Sequence, residues 1–473
     1  MSKRYDLVVL GGGTGGLVSS LIAAGTGARV ALVERDRTGG DCLWTGCVPS
    51  KSLIAAAGLA HRMRHADSVG LKPVDPQIDF TRVMEHVWGA IRAIEPQDSP
   101  HRLREAGVEV IEATGRFTAP GRLTVGDREL RFRAAIIATG SEPRMPSIEG
   151  LADARPLTSD SVWGLRELPA RLVILGGGPI GCELGQAFAR LGSQVTIVQR
   201  ADRLLVKEEP RASALIAERL AAEGVDLRLS SRVDAVDGDA LALADGERIG
   251  FDRLLVAIGR TPRTAGLGLH AVGVRLDERG AVEVDRTLRT SARGLYAVGD
   301  VTGLLPFTHV AAHHARVATP NALFHTRGKL STTLPWVTFT DPEVGRVGLT
   351  EEQARERWGG RAIVVESSYT TLDRAITAGE AHGFAKLVAD PRGRLWGATV
   401  VATAAGEAIA ELSACVAQGA KVDDVSRAVH PYPTFAEGPA RAADSHLAAR
   451  YASPRLRALS RAVLALLRTL ERR

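Results

Sequence analysis

Two of the four cysteines in this chain, Cys42 and Cys47, lie five positions apart within a glycine-rich stretch, residues 39–51. This spacing can bring two sulfur atoms together, and such a pair can cycle between a dithiol and a disulfide. It is wider than the Cys-x2-Cys of a zinc knuckle, and no second Cys or His pair follows at ligand spacing, so we predict no metal site. The pair could equally be two inert core cysteines. The flanking segments decide between the two interpretations.

Composition limits the classes of function that are open to the chain. Its 473 residues are enough for about three domains. The 60 basic and 54 acidic residues form no basic stripe interleaved with aromatic residues, so we predict no nucleic-acid partner. No stretch approaches about 20 uninterrupted apolar residues, which argues against a membrane span. Four cysteines in so long a chain favour a cytoplasmic redox pair over structural disulfides.

A dinucleotide-binding fingerprint precedes the cysteine stretch. An apolar strand pattern at residues 5–10 leads into Gly11, Gly13 and Gly16 in the order G-x-G-x-x-G, a helical pattern follows, and the next strand pattern ends at Glu34. The glycines allow the backbone to approach a pyrophosphate, the helix N-terminus favours its charge, and the acid accepts ribose hydroxyls. This explanation fits the N-terminal residues better than a signal peptide does.

A second complete fingerprint follows a strand pattern at residues 171–175. Its glycines are Gly176, Gly178 and Gly181. The next strand pattern ends before Gln199 and Arg200, where an NAD site would need a carboxylate. A neutral Gln beside arginines suits a 2'-phosphate, unless the arginines are merely solvated. The chain is therefore expected to bind two nucleotides, the second being NADPH in preference to NADH.

The last third of the chain carries a different pattern. Residues 285–301 end in a strand followed by Asp300, a residue that can accept a ligand hydroxyl or simply form a turn. After Trp336, short strand patterns and helices follow without a nucleotide fingerprint. We interpret this part as an α+β region that contacts a second copy of the chain.

Together these segments resemble the FAD-dependent pyridine nucleotide-disulfide oxidoreductases (class I), the group that includes dihydrolipoamide dehydrogenase, glutathione reductase and mercuric reductase. The resemblance spans roughly residues 5–445. Its matching pieces are the first fingerprint with Glu34 and the segments 40–51, 138–140, 176–183, 257–260, 296–300 and 339–342.

The resemblance implies an α/β fold with two Rossmann-like, glutathione reductase-type nucleotide-binding domains and a C-terminal α+β dimerisation domain. The implied segments are an FAD-binding domain at 1–145 and 265–335, an NAD(P)H-binding domain at 146–264, an interface domain at 336–450 and a basic amphipathic tail at 451–473. It also implies a homodimer in which the interface domain of one subunit completes the active site of the other.

The resemblance assigns roles to individual residues. Cys47 is expected beside the flavin and Cys42 as the interchange thiol that meets the substrate, while Cys182 and Cys415 are expected to be core residues. The residues expected to contact FAD are Gly11, Gly13, Gly16, Glu34, Lys51, Gly115, Asp300 and Thr308. Those expected to contact NAD(P)H are Gly176, Gly178, Gly181, Glu183, Gln199, Arg200 and Gly259. Lys51 and Glu183 are also expected to form an ion pair beside the flavin.

The chain departs from the family at its catalytic base. The family places a His five residues before a Glu, but five residues before Glu437 stands Tyr432. A phenol with a pKa near ~10 is a poor acceptor for a thiol proton at neutral pH. His430, two residues upstream, could take the role only if the loop were aimed differently, and it is otherwise an ordinary loop histidine.

We therefore expect an enzyme that passes electrons from NADPH, through FAD and a Cys42–Cys47 disulfide, to a disulfide, a metal ion or a small electrophile. The mercuric reductase branch of the family also carries Tyr at the position of Tyr432. However, the chain lacks an N-terminal Cys-x2-Cys domain and a C-terminal vicinal cysteine pair that could deliver a soft metal. An NAD-linked dihydrolipoamide dehydrogenase is the alternative.

The tail at residues 453–473 is a second departure, because leucines recur in it at helical spacing with arginines around them. Such a basic amphipathic helix can pack on its own dimer, or it can lie on an anionic membrane. In the second case the protein would be cytoplasmic but membrane-peripheral, as a redox partner docked by its tail.

Overall fold

The computed structural model describes residues 4–471, which fold as two compact units. The first unit comprises the chain up to Arg64 together with Asp75–Arg203 and Leu220–Leu330. The second comprises His65–Val74, Leu204–Arg219 and the chain from Ser331 onward. The boundaries of the FAD-binding, NAD(P)H-binding, interface and tail segments stay predictions.

The described strands and helices follow in chain order. The strands are β1 Arg4–Leu10, β2 Val30–Glu34, β3 Val108–Glu112, β4 Gly115–Ala119, β5 Arg122–Val125, β6 Arg128–Ile137, β7 Ser141–Pro143, β8 Leu157–Thr158, β9 Arg171–Leu175, β10 Gln194–Val198, β11 Asp226–Arg228, β12 Val233–Asp237, β13 Ala240–Leu243, β14 Arg248–Gly250, β15 Arg253–Val256, β16 Arg260–Pro262, β17 Leu295–Ala297, β18 Pro335–Thr338, β19 Glu343–Gly348, β20 Ile363–Ser368, β21 Phe384–Ala389 and β22 Leu395–Ala402. The α-helices are α1 Thr14–Gly25, α2 Gly40–Trp44, α3 Cys47–Arg64, α4 Phe80–Asp98, α5 Pro100–Glu105, α6 Pro179–Leu191, α7 Pro210–Ala222, α8 Thr308–Phe324, α9 Glu351–Trp358, α10 Asp373–Thr377, α11 Ala405–Gln418, α12 Val422–Arg427, α13 Glu437–Tyr451 and α14 Pro454–Leu470.

The first unit contains a seven-stranded sheet built around β1. Strands β3, β2, β1 and β6 pair in parallel, β17 adds in parallel to β6, and β5 and β4 continue the sheet antiparallel. The apolar run of β1 is buried on both faces, as a central parallel strand requires. The glycine turn after β1 therefore lies at the carboxyl edge of the sheet, where this class of fold binds its ligand.

The first unit also contains a five-stranded parallel sheet in the order β11-β10-β9-β15-β8. Its central strand β9 is buried and leads directly into the second glycine motif and helix α6. Two smaller antiparallel sheets, β12-β13-β14 and β16-β7, complete this unit. The two fingerprints thus follow the central parallel strands, β1 and β9, of two separate sheets.

The second unit is built on an antiparallel sheet in the order β18-β19-β22-β21-β20. Its core includes Tyr369, which is fully buried and whose hydroxyl donates a hydrogen bond to the carbonyl oxygen of Phe435 at 2.7 Å. A buried phenol normally finds such a partner. This bond anchors the loop between α12 and α13, which carries His430 and Tyr432.

Candidate active site

The cysteine pair lies at the junction of two helices in the first unit. Cys42 lies in α2 and is half-buried, whereas Cys47 is the first residue of α3 and is exposed, and both thiols are reduced. The chain turns between them at Gly46, where a Cβ would lie 2.8 Å from the carbonyl oxygen of Asp41. Only glycine fits this turn without displacing the backbone that carries Cys42.

The two thiols hold one proton between them. The hydrogen bond from Cys42 lowers the pKa of Cys47 to about 6, and the Thr308 hydroxyl and the Lys51 ammonium act in the same direction. Desolvation of the Cys47 sulfur by the surrounding protein atoms opposes them. The same hydrogen bond, reinforced by burial, raises the pKa of Cys42. The Thr308 Oγ1 lies 3.3 Å from the Cys47 Sγ. Near neutral pH, Cys47 is therefore the thiolate and Cys42 keeps its proton.

An ion pair links the cysteine helix to the second fingerprint. The Lys51 Nζ in α3 donates a hydrogen bond of 2.8 Å to the Glu183 Oε2 in α6. The Glu183 side chain is only 7% exposed, so its charge needs a partner. The predicted pair is thus formed, and its ammonium group is one of the groups that stabilise the Cys47 thiolate.

The first fingerprint has the geometry of a dinucleotide cradle. Gly11 adopts a φ of +109°, and a Cβ there would lie 2.3 Å from the Ala138 carbonyl oxygen. A Cβ at Gly16 would lie 1.8 Å from the Gly11 carbonyl oxygen, and Gly13 precedes α1. The Glu34 Oε2 accepts a hydrogen bond of 2.5 Å from a backbone N–H of the glycine turn. Only glycine fits at these positions, so the backbone of the turn can approach a pyrophosphate, and Glu34 stands where an acid would accept ribose hydroxyls. These features suit FAD.

The remaining residues predicted to contact FAD lie in three different elements. Asp300 follows β17 and accepts a hydrogen bond of 2.7 Å from the Ser141 hydroxyl, while Thr308 begins α8 beside Cys47. Gly115 lies within β4, where a Cβ would meet Leu10 at 2.7 Å. The environment of Gly115 in the structure is therefore core packing, and its contact with FAD stays a prediction.

The second fingerprint repeats this geometry. A Cβ at Gly176 would lie 2.6 Å from the Ala257 carbonyl oxygen, and a Cβ at Gly181 would lie 1.9 Å from the Gly176 carbonyl oxygen. Gly178 precedes α6, and Gly259 is exposed with a φ of +120°. The turn is therefore as restricted to glycine as the first one.

The difference between the two fingerprints is the side chain that closes the turn. The Gln199 Oε1 accepts a hydrogen bond of 3.0 Å from the Gly177 N–H, as Glu34 does in the first turn, and its amide donates to the Arg203 carbonyl oxygen at 3.3 Å. Arg200 is exposed beside it. This edge therefore carries cationic groups and no carboxylate at the position of Gln199.

A cluster around Arg260 was not predicted from the sequence. The Arg260 guanidinium forms an ion pair with Asp41, next to Cys42, and donates hydrogen bonds to the Ser141 hydroxyl at 2.7 Å and the Ser159 hydroxyl at 3.0 Å. Burial raises the pKa of the Asp41 carboxyl, while Arg260 and Arg263 oppose the rise. The only signal in the sequence is that Asp41 and Arg260 both lie in segments that match the family.

We expect Arg260→Met to destabilise the protein by about 2–4 kcal/mol, because it leaves the Asp41 carboxylate without its main partner. Thermal and urea unfolding of the FAD-loaded protein would measure the loss. Arg253→Met is the matched control, since Arg253 is exposed and its guanidinium donates to the carbonyl oxygen of its neighbour Asp252. Equal stability of the two variants would contradict a structural role for the Arg260 cluster.

In the second unit, the predicted base position is occupied by a hydrogen-bonded phenol. The Tyr432 hydroxyl donates to the Asp373 Oδ2 at 2.7 Å, and this bond raises the pKa of Tyr432. The Glu437 Oε2 accepts from the Thr434 N–H at 3.1 Å. Glu437 therefore holds the loop that precedes its own helix, and Tyr432 is held by Asp373.

His430 has a carboxylate partner of its own. Its Nε2 lies 3.1 Å from both carboxylate oxygens of Glu411, and its Nδ1 lies 3.0 Å from the Ala428 carbonyl oxygen. The side chain is 9% exposed. The structure thus contains a His–carboxylate pair near the expected position, but with Glu411 and not with Glu437.

Comparison with known proteins adds a second line of evidence. The family described as pyridine nucleotide-disulphide oxidoreductase matches residues 5–315, and its dimerisation domain matches residues 334–443. A mercuric reductase from Streptomyces lividans is 37% identical over 449 residues, which cover 92% of this chain and 94% of that protein. A dihydrolipoyl dehydrogenase from Thermus scotoductus is 36% identical over 466 residues, which cover 94% and 97%.

Two solved structures share the architecture. A Cu(II) complex of an HOCl-induced flavoprotein disulfide reductase from Escherichia coli aligns with a TM-score of 0.85 and 29% identity over 94% of this chain and 99% of that chain. LpdA from Mycobacterium tuberculosis aligns with a TM-score of 0.86 and 30% identity over 93% and 99%.

Proposed function

The chain belongs to the FAD-dependent pyridine nucleotide-disulfide oxidoreductases, and from that premise we propose that it uses NADPH to reduce a thiol-binding metal ion, such as Hg(II), at Cys42 and Cys47. The observation that carries the proposal is that the phenol at the base position is engaged as a donor and is not free to accept a thiol proton. Cys42 keeps its proton, and Tyr432 at the base position is itself a hydrogen-bond donor to Asp373.

Membership of the family confirms the predicted fold class, the enzyme class and the use of FAD with a pyridine nucleotide. The dimerisation domain supports the predicted homodimer. Within residues 4–471, no helix is long and apolar enough to cross a bilayer. The acceptor and the choice between NADPH and NADH belong to the proposal.

A metal ion is preferred to a disulfide as the electron acceptor because of the reactions that the two thiols can carry out without a catalytic base. A thiol that attacks a disulfide must first lose its proton to a neighbouring group. A thiol that coordinates a soft metal ion is deprotonated by the metal itself, so Cys42 needs no base for this reaction. The overall reaction balances as NADPH plus Hg(II) giving NADP⁺, a proton and Hg(0).

Different residues of the chain would bind the cofactor, keep one thiol ionised and contact the electron acceptor. Gly11, Gly13, Gly16, Glu34 and Asp300 would hold FAD, whose chemistry when bound is to convert a hydride from NADPH into an electron pair for the thiol pair. Lys51 and Thr308 keep Cys47 ionised, and Cys42 on α2 is the thiol that offers its sulfur to the acceptor.

We expect the double substitution Gln199→Glu with Arg200→Ala to reverse the preference between the nicotinamide cofactors. A carboxylate in place of Gln199 would accept ribose hydroxyls and repel a 2'-phosphate, so kcat/KM for NADPH should fall about tenfold or more while that for NADH rises. Steady-state kinetics with both cofactors would measure the change. Arg232→Ala, at an exposed arginine of the same unit, is the control, and an unchanged preference in the double variant would contradict the 2'-phosphate site.

Dihydrolipoamide dehydrogenase is the second candidate, and the pair formed by His430 and Glu411 favours it. A His held by a carboxylate can accept a thiol proton, which the oxidation of a dithiol requires. Efficient NADH formation from dihydrolipoamide, lost in His430→Gln, would establish this activity in place of metal reduction.

The test of the proposal is a panel of electron acceptors with the FAD-loaded enzyme. NADPH oxidation would be followed with Hg(II), Cu(II), lipoamide, oxidised glutathione, a quinone and oxygen. We expect Hg(II) to support turnover that Cys42→Ala abolishes and that Tyr432→Phe leaves within about threefold. Turnover with disulfides but not with metal ions would overturn the proposal.

A further inference from the structure

The last described helix, α14, lies outside the residues that match the two family domains. The dimerisation domain match ends at residue 443, and α14 begins at Pro454, after a turn at Ser453. Proline at the first helical position starts a new helix without losing a hydrogen bond. The helix contains no buried residue over its 17 residues. The helix α14 therefore contributes no side chain to the hydrophobic core of the second unit.

The leucine and valine side chains of α14 form one broad stripe. At 100° per residue these side chains fall within an arc of roughly 160° around the helix axis. This stripe is wider than the seam of a coiled coil, which only the a and d positions of each heptad form. Six large side chains of this stripe are each between 47% and 62% exposed: Leu459, Val463, Leu464, Leu466, Leu467 and Leu470. Exposed apolar patches of this kind mark interaction sites.

The charges of α14 are of one sign. Arg455, Arg457, Arg461 and Arg468 lie within the helix, and residues 454–470 contain no Asp or Glu. When the helix is viewed along its axis, Arg457, Arg461 and Arg468 lie together along one side of the apolar stripe. The helix thus combines a leucine face with a cationic flank, and both kinds of group are exposed.

We propose that α14 binds flat on an anionic lipid surface, with its leucine face in the boundary between headgroups and acyl chains. An amphipathic helix rich in arginine on its polar face, with leucines opposite, is suited to this position. The arginines would contact lipid phosphates while their aliphatic stems extend along the apolar boundary. The site is distinct from the cysteine pair and does not depend on which acceptor the enzyme reduces.

The leucine face of α14 could instead pack against α14 of a second copy of the chain. The charges of the helix favour the lipid surface over this alternative. Two copies packed through their leucine faces would bring together only cationic groups, with no acidic residue between 454 and 470 to pair with them. An anionic bilayer supplies the opposite charge along the whole flank. The breadth of the apolar stripe also exceeds what one partner helix would cover.

Co-sedimentation of the FAD-loaded dimer with vesicles would test the proposal. We expect binding to phosphatidylcholine vesicles that contain phosphatidylglycerol, weak binding to pure phosphatidylcholine, and loss of binding at high salt. Replacing Arg457, Arg461 and Arg468 by Gln should reduce the partition coefficient roughly tenfold or more. The charge-preserving change of the same three residues to Lys should retain most of it.

Three further variants separate the proposal from simpler explanations. Changing the exposed residues Arg92, Arg166 and Arg392 to Gln removes the same charge elsewhere and should leave vesicle binding unchanged. Leu459→Asp with Leu466→Asp should abolish binding while the rate of NADPH oxidation stays the same. If the full chain fails to bind anionic vesicles, or if deleting residues 453–473 leaves binding intact, the proposal is wrong. A dimer that dissociates on this deletion would instead identify the second copy as the occupant.

Discussion

Replacing Cys42 by Ala should lower kcat with any acceptor that uses the thiol pair by about a thousandfold or more, because it removes the sulfur that meets the acceptor. Cys47 remains in this variant with its Thr308 contact, so FAD should stay bound. Steady-state NADPH oxidation with Hg(II) would measure the loss. Slow NADPH oxidation with oxygen should persist, since it does not need the thiols.

Cys415→Ser is the control for this substitution. Cys415 lies in α11 of the second unit and is half-buried, so its replacement removes a thiol without touching the pair. Its activity should equal that of the wild-type protein. If Cys42→Ala kept full Hg(II)-dependent turnover, the reaction would bypass the pair, and the assignment of Cys42 would be wrong.

A single methyl group at Gly16 should prevent FAD from binding. The Cβ of Gly16→Ala would lie 1.8 Å from the Gly11 carbonyl oxygen, and backbone cannot yield as a flexible side chain can. The first turn must then open, which we expect to cost about 2–4 kcal/mol in stability and to weaken FAD binding at least a hundredfold. The ratio of flavin absorbance to protein absorbance after purification would show the loss.

Gly25→Ala is the matched control in the same helix. A Cβ at Gly25 meets nothing within 4 Å, so this change should be neutral or slightly stabilising. Gly181→Ala, whose Cβ would lie 1.9 Å from the Gly176 carbonyl oxygen, should leave FAD bound and remove NADPH-dependent reduction. A Gly16→Ala protein with full FAD content would contradict the cradle assigned to the first fingerprint.

Local features of the site could be predicted from the sequence because they depend on short segments. The glycine turns, the acid at Glu34 and the Gln at the equivalent position all follow from the spacing within one strand–helix–strand unit. The ion pair between Lys51 and Glu183 joins distant segments, and it was predicted only because the family resemblance connected them.

Long-range polar partners could not be predicted in the same way. Arg260 is 219 residues away from its partner Asp41, and Tyr432 is 59 residues away from Asp373. Neither spacing has a periodicity or motif that indicates contact. The protonation of the pair likewise depends on Thr308, 261 residues from Cys47. These contacts appear only when the fold brings the segments together.

The most direct test of the central claim is an anaerobic titration of the FAD-loaded protein with NADPH across a range of pH. The claim is that Cys47 is the thiolate of the reduced pair. Since its pKa lies at about 6, the thiolate is present above that pH and is protonated below it.

We predict that the two-electron-reduced protein shows the long-wavelength absorption of a thiolate beside oxidised flavin at pH 7 and above. This absorption should fade as the pH drops through about 6. Cys47→Ser should lack it at every pH. Cys42→Ser, which cannot form the disulfide, should show it before NADPH is added, while its flavin is still oxidised. Absorption that survives Cys47→Ser, or that is lost only in Cys42→Ser, would contradict the assignment of the two thiols.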